Sequence, residues 1–416
     1  MALISLTMKN ILYLSYDGMT DPLGQSQVIP YLSGLCKRGY RIWLISFEKP
    51  AAYAENEALI REICRETGIE WYPLRYTKKP AVISTLFDIW QMKRLAANLC
   101  RKYHISLVHC RSYISSIVGA WIKKKYRIPF IFDMRGFWPD ERVDGKLWDL
   151  KNPLYRQVYN FFKHREKLFL EQADHTVCLT YEAEKEIHSW NHIHNNPVKI
   201  TVIPCCADMD HFNPERISDD LKTEWRTRLQ IKDGERILSY VGSLGTWYMV
   251  EEMLDFFKVQ LECDSDVRFL FITLDDAGSI LEMAKQKDID PEKIIIHAGR
   301  RNDMPALIAL SDYAIFFIKP AYSKMASSPT KQAEIMRLGI PLICNDRIGD
   351  TSYVVNKYKA GIVIKEFNTA SYRNAIKKLT KTVFDKKGIR QGALEFYNLE
   401  TGIERYHQVY SEILSN

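Results

Sequence analysis

Several loops of this chain carry residue types suited to holding phosphate and hydroxyl groups. "SYDGMTDPLGQSQV", Ser15 to Val28, places Asp17, Gly18 and Gly24 ahead of a helical stretch. Glycine there lets backbone N–H groups and a helix N-terminus approach an anion, although an ordinary strand-to-helix turn uses the same residues. "YVGSLGTWYMVEEML" repeats the device with Gly242, Ser243 and Gly245, and "HAGRRNDM" follows with Gly299, Arg300 and Arg301. Those guanidinium groups either pair with phosphate oxygens or sit solvated on the surface. Neither glycine loop reads G-x-G-x-x-G or G-x-x-x-x-G-K-[ST], which disfavours nicotinamide cofactors and simple NTPase chemistry.

"RGFWPDERVDGKLWD" sets Arg135, Asp140, Glu141, Arg142 and Asp144 beside Phe137 and Trp138. Carboxylates and a guanidinium bond hydroxyls while rings cover the apolar faces of a polyol; the competing reading is a solvated loop with internal ion pairs. His109 ends the apolar run "SLVHC" just before Arg111, and it either opens towards a ligand or is a packed, satisfied histidine. His188, His192 and His194 crowd a polar run that reads as loop rather than metal site.

One further stretch, "SSPTKQAEIMRLGIPLICN" at residues 327–345, raises a question of its own. Ser327 or Ser328 can cap a helix, Pro329 suits its first turn and Gly339 its end. Those boundaries leave Glu334 unexplained among Ile335, Met336 and Leu338.

The elements that position these residues are legible as alternation. "NILYLSY", "RIWLISF", "SLVHC", "PFIFDM", "HTVCL" and "KITVI", then "RILSYVG", "RFLFITL", "KIIIHAG", "YAIFFIK" and "IPLICN", are strand-like runs separated by helical windows. This predicts two mostly parallel, doubly wound sheets covered by helices, with ligands beyond the carboxyl ends of the strands and a cleft where two such domains face each other. Periodicity fails near "PCCADMDHFNPERISDDLKTEW". The expected domains are therefore residues 1–205 and 206–395, with 396–416 a final helix whose Ile403, Tyr406, Tyr410 and Ile413 form one apolar face.

At 416 residues the chain exceeds one ordinary core, and 46% apolar with 26% charged residues marks it as globular. Nine scattered cysteines without a C-x-x-C pair fit a reducing compartment. The opening "MALISLTM" leads through Lys9 and Asn10 into a strand rather than a cleavage site, and no run is long enough to span a bilayer. The expected location is the cytoplasm, free or on a membrane face. Residues 1–200 hold 29 Lys and Arg against 20 Asp and Glu, while 201–416 hold 29 against 31. An anionic surface would therefore meet the N-terminal half, with Lys123, Lys124, Lys125 and Arg127 beside Trp121 and Tyr126 as the candidate cluster or simply a solvated helix end.

Taken together, Ser328, Pro329, Lys331 and Glu334 with "MRLGIPLICN", "GQSQVIPYLSGLCKRGYRI", "TVCLTYEAEKEI", "VIPCCADMDHFNP" and the final helix resemble the retaining glycosyltransferases of family 4, with the two-domain GT-B fold. The likeness covers almost the whole chain. It implies that Glu334 is the second glutamate of the donor motif, bonding ribose hydroxyls, and that the capped helix points N–H groups at the donor. The first glutamate of that motif falls at Ala326, and the diphosphate-binding arginine and lysine fall at Ser243 and Tyr248, so Lys331, Arg300 and Arg301 become the candidate cations.

The resemblance implies transfer of a sugar from a nucleotide diphosphate to a hydroxyl of a glycan or lipid-linked acceptor in cell-surface polysaccharide or glycoconjugate synthesis. Anomeric configuration is retained, and no cofactor or metal is required. Donor-binding residues on this reading are Gly24, Gly242, Ser243, Arg300, Ser328, Thr330, Lys331 and Glu334. Arg135, Asp140 and Glu141 orient the reacting groups, and Asp17, His109, Arg111 and Trp138 meet the acceptor. The rival readings are a nucleotide-sugar 2-epimerase of the same architecture and a non-catalytic nucleic-acid or membrane-binding module; a nicotinamide dehydrogenase stands third. Nucleic acid is not an expected partner of the transferase.

Overall fold

The computed structural model describes residues 8–80 and 82–415, so most of the opening "MALISLTM" lies outside the described residues. The chain divides into two compact units, Met1–Pro204 with Leu399–Asn416, and Cys205–Asn398.

The first unit is built on seven strands: β1 (Lys9–Ser15), β2 (Tyr40–Glu48), β3 (Ile69–Arg75), β4 (Leu107–Arg111), β5 (Phe130–Asp133), β6 (His175–Cys178) and β7 (Ile200–Val202). Their order is β3-β2-β1-β4-β5-β6-β7, and every pairing is parallel. Parallel strands covered on both faces need near-continuous apolar runs, and Ile11, Leu12, Ile42, Leu44, Leu107, Val108 and Phe132 are fully buried.

The second unit holds β8 (Arg236–Val241), β9 (Val267–Ile272), β10 (Ile294–His297), β11 (Tyr313–Phe316), β12 (Leu342–Asn345) and β13 (Gly361–Ile364). The order β10-β9-β8-β11-β12-β13 is again wholly parallel. Both units are thus doubly wound α/β folds, as the alternation predicts. Among the described residues, no helix is long and apolar enough to cross a membrane.

Two strands escape the sequence reading, β3 and β13, and both lie at a sheet edge. An edge strand pairs on one side only, so β3 tolerates Pro73 and charged Glu70 and Arg75, and β13 begins on a glycine. A third difference concerns "RGFWPDERVDGKLWD", read above as a loop: Trp138–Asp144 is a short helix with Pro139 in its first turn.

The last helix, Leu399–Ser415, belongs to the first unit although it follows the second in sequence. It buries Ile403, Tyr406, Val409 and Tyr410. Arg405 donates to the Val202 carbonyl at 2.7 Å, and the Tyr40 hydroxyl meets the His407 ring at 3.0 Å.

Candidate active site

In the second unit the strand order reverses between β8 and β11, the point at which such sheets collect ligands beyond their carboxyl ends. The loop after β8 opens on Gly242 at φ +106°, a backbone that side chains resist. A Cβ on Gly242 would stand 3.2 Å from the Lys331 amine, so this glycine also makes room for a cation. The loop is pinned internally: the Tyr240 hydroxyl donates to the Ser243 carbonyl at 2.6 Å, and the Leu244 N–H donates to Asp275. Ser243 itself is exposed.

The chain after β11 passes through a 3-10 turn, Tyr322–Ala326, into the helix Thr330–Arg337. The serine cap expected from sequence is absent. Pro329 occupies the cap position with no side-chain cap, and the Ser328 hydroxyl instead accepts from the Cys205 N–H at 3.1 Å, fastening the first residue of the unit. Thr330 opens the helix, half-buried, and Ala326 is buried.

Lys331 and Glu334 sit one turn apart on this helix, on neighbouring positions of one face. The Lys331 amine donates to the Tyr240 hydroxyl at 3.0 Å and lies 3.6 Å from the centre of the Tyr248 ring and 4.2 Å from that of Tyr240. Ring quadrupoles favour a cation in such a box. Burial nevertheless pushes the Lys331 amine well below its ordinary range, and Glu334 only partly restores it. Tyr248, where the resemblance expects a lysine, thus carries the amine of Lys331 on its face. Glu334 is half-buried, and burial pushes its carboxyl up to about 7 against the opposing pull of Arg301 and Lys331. Among the described residues its carboxylate accepts no hydrogen bond. Arg300 and Arg301 are exposed, and the Arg301 carbonyl accepts from the His211 ring N–H at 3.0 Å.

Sequence reasoning missed the box itself. Tyr240 reads as an ordinary strand residue and Tyr248 as a departure from a motif, and only the fold brings them to one amine. It also missed Lys324, a buried lysine in the turn after β11 whose amine lies 3.6 Å from the centre of the Trp247 ring in the loop after β8. A lysine in a polar turn normally reads as solvated.

In the first unit the order reverses between β1 and β4. The loop after β1 contributes Asp17 and the end of β4 contributes Arg111, which joins it at 3.0 Å; Arg111 is buried and the Asp17 side chain partly exposed. Gly24 belongs to this unit. A Cβ there would lie 2.2 Å from the Gly18 carbonyl oxygen, so the glycine lets the loop fold onto itself and presents no donor surface in the second unit. His109 is 1% exposed. Its ring meets the Tyr410 hydroxyl at 2.7 Å and Asp133 at 3.2 Å, while the Tyr406 hydroxyl donates to the same Asp133 oxygen at 3.0 Å. Burial holds His109 below its usual range, hence neutral. Burial opposes charge on Asp133, but Arg135, His109 and Arg111 outweigh it and keep the carboxylate ionised. His109 is therefore the packed, satisfied histidine of the two readings.

Arg135 lies 3.9 Å from Asp133, 9% exposed. Asp140 has both oxygens engaged, accepting from Tyr159 at 2.8 Å and Lys163 at 3.0 Å. Trp138 packs among Tyr113, Trp148 and Phe162. These two side chains hold the Trp138–Asp144 helix against its neighbour, whereas Glu141 on the same helix is half-buried.

Two parallel, doubly wound units with polar loops at each switch point would fit several two-domain enzymes, and comparison with known proteins narrows the class. Solved structures that share the fold include sucrose-phosphate synthase from Thermosynechococcus elongatus (TM-score 0.76, 14% identity, 98% of this chain and 99% of that one). Another is Anabaena HepE in complex with UDP and glucose (TM-score 0.69, 13% identity, 97% and 99%). These define the GT-B glycosyltransferase fold. The family description "Glycosyltransferase Family 4" matches residues 26–211 and "Glycosyl transferases group 1" matches residues 222–387. The chain belongs to the family-4 type of GT-B glycosyltransferases. Among curated proteins it is 25% identical over 411 residues, 94% of this chain and 96% of the relative, to an Escherichia coli protein. That relative is named UDP-Gal:alpha-D-GlcNAc-diphosphoundecaprenol alpha-1,3-galactosyltransferase.

Proposed function

We propose that this chain transfers a sugar from a nucleotide diphosphate to a hydroxyl of a lipid-linked or glycan acceptor in cell-surface polysaccharide or glycoconjugate synthesis, retaining anomeric configuration. The observation that carries the reading is the pair on one helix: a half-buried Glu334 carboxylate accepting no hydrogen bond and a buried Lys331 amine beside Gly242. The carboxylate accepts two ribose hydroxyls, and the amine meets a diphosphate oxygen. A bound diphosphate favours the protonated form of the buried Lys331 amine, which then takes over the charge that the family places near Tyr248, with Arg301, and Arg300 beside it, as exposed cations at the rim. Thr330 and the uncapped first turn supply N–H groups, Gly242 and Ser243 the close backbone approach, and Ser328 the anchor of the turn. The acceptor is held by Asp17 and Arg111, with Arg135 and Glu141 orienting the reacting groups.

In the transfer, the bond from the sugar C1 to the diphosphate oxygen breaks and a bond from C1 to the acceptor oxygen forms on the same face. The acceptor proton passes to the departing phosphate. Charge growing on that phosphate is met by preorganised cations and N–H groups, which makes a divalent metal unnecessary. UDP is the first nucleotide to test, because the Escherichia coli relative is named for UDP-Gal and the Anabaena neighbour was solved with UDP. Protein on the cytoplasmic face of the membrane would meet both a nucleotide sugar and a lipid-linked acceptor.

The test is a thermal-shift series with UDP, GDP and CMP sugars and NAD. One nucleotide class is expected to raise the melting temperature of wild type by several degrees. Glu334→Ala should abolish that shift, and Lys331→Met should cut nucleotide affinity roughly tenfold to a hundredfold, the loss of one charge-assisted contact. A shift with NAD alone, or a nucleotide shift untouched in Glu334→Ala, would remove the reading.

A further inference from the structure

The helix Ile83–Tyr103 is apolar on two faces at once. Its inner face buries Ile89, Met92, Ala96, Leu99 and Cys100 against the first sheet. Its outer face carries Ile83, Leu86, Phe87 and Trp90, exposed by 65, 61, 50 and 53%. Their spacing of i, i+3, i+4 and i+7 makes one stripe along the first two turns. Phe87 and Trp90 stack with ring centres 5.9 Å apart, so the stripe is a continuous surface rather than scattered side chains. Contiguous exposed apolar surface of this kind marks an interaction site.

Charge around the stripe identifies what fits it. Exposed Lys78 and Lys79 precede the helix, Arg94 lies over the Trp90 ring at 5.7 Å, and Lys93 lies over Trp121 at 5.6 Å. The one acidic residue of the helix, Asp88, points inward, accepting from the Tyr16 hydroxyl at 2.8 Å and the Thr77 N–H at 3.3 Å. A two-fold contact with a second copy would set these cations against themselves. An anionic bilayer complements both parts: aromatic and aliphatic side chains enter the headgroup boundary while the cationic rim meets phosphate.

Position supports the same partner. The helix starts just beyond the carboxyl end of β3, and the Asp88 bond ties it to Tyr16 in the loop after β1, beside the switch point with Asp17 and Arg111. The Lys123–Lys125 cluster lies at the opposite, amino end of the sheet, where Lys123 is already bonded to Asp174 at 2.8 Å.

We propose that the first two turns of the Ile83–Tyr103 helix, with Lys78, Lys79, Lys93 and Arg94 as rim, dock the protein on an anionic lipid surface. This inference rests on the membrane-facing part of the function proposed above, and it adds the surface that makes the contact. The test is co-sedimentation of the full chain with phosphatidylcholine vesicles, with and without phosphatidylglycerol. Wild type should partition onto the anionic vesicles only. Leu86→Ser with Trp90→Ser should lower that partition at least roughly tenfold, and Lys124→Glu with Lys125→Glu should leave it within about twofold. An unchanged melting temperature and unchanged circular dichroism show that the variants fold. A serine variant that binds like wild type overturns the assignment, as does wild type that ignores anionic vesicles. A concentration-dependent dimer broken by the same variant overturns it in favour of a second copy. Neither donor nor acceptor enters the assay, so failure here and failure of the nucleotide shift are read separately.

Discussion

A single carboxylate shows how much of the chemistry depends on surroundings. Glu334 has a raised carboxyl, about 7, because burial penalises its charge more than Arg301 and Lys331 reward it. The sign follows from linkage: a group raised on folding stabilises the fold fully below its ordinary pKa of about 4.3, and that contribution fades as pH climbs through about 7. Wild type should therefore lose melting temperature relative to Glu334→Gln between those pH values. Nucleotide affinity should move the opposite way, tightening in wild type as the carboxylate ionises and staying flat in Glu334→Gln. Parallel melting and titration curves measured from pH 5 to 8 check both. Glu334 was legible in the sequence as a charge without a structural reason. The Tyr240–Tyr248 box around Lys331 was not, because Tyr240 and Lys331 are 91 positions apart and only the β8–β11 pairing brings them together.

At the scale of elements, the central strands were legible because burial on both faces demands unbroken apolar runs, whereas β3 was hidden by Glu70, Pro73 and Arg75, which an edge tolerates, and β13 by its four-residue length and opening glycine. The outer stripe of the Ile83–Tyr103 helix was hidden for the converse reason: apolar residues on both faces blur the 3.6-residue rhythm that would have exposed it. The loop after β8 gives a test at this scale. Gly242→Ala places a side chain at φ +106° and brings a methyl to 3.2 Å of the Lys331 amine. A strained backbone of this kind costs about 1–3 kcal/mol. Melting should fall by several degrees, and the nucleotide-induced shift should shrink further than in a control destabilised equally at a distance. A variant with wild-type nucleotide response would show that the loop has no part in binding.

For the whole molecule, the decisive feature is that the first unit is assembled from both ends of the chain. Tyr406 and Tyr410 of the returning helix complete a buried cluster with Asp133 and His109. Tyr410→Phe should cost about 1–3 kcal/mol by leaving a buried ring nitrogen without its partner. Truncation after Asn398 should do far more, lowering the melting of the first unit and opening it to proteolysis while nucleotide binding by the second unit persists. Limited digestion with nucleotide present separates the two units and checks this. The arrangement also sets an order on biosynthesis. During translation the strands of the first unit are made first, but its core stays unsealed until the whole second unit and then the Leu399–Ser415 helix have been synthesised. The older half of the nascent chain thus cannot finish packing before the younger half has been made.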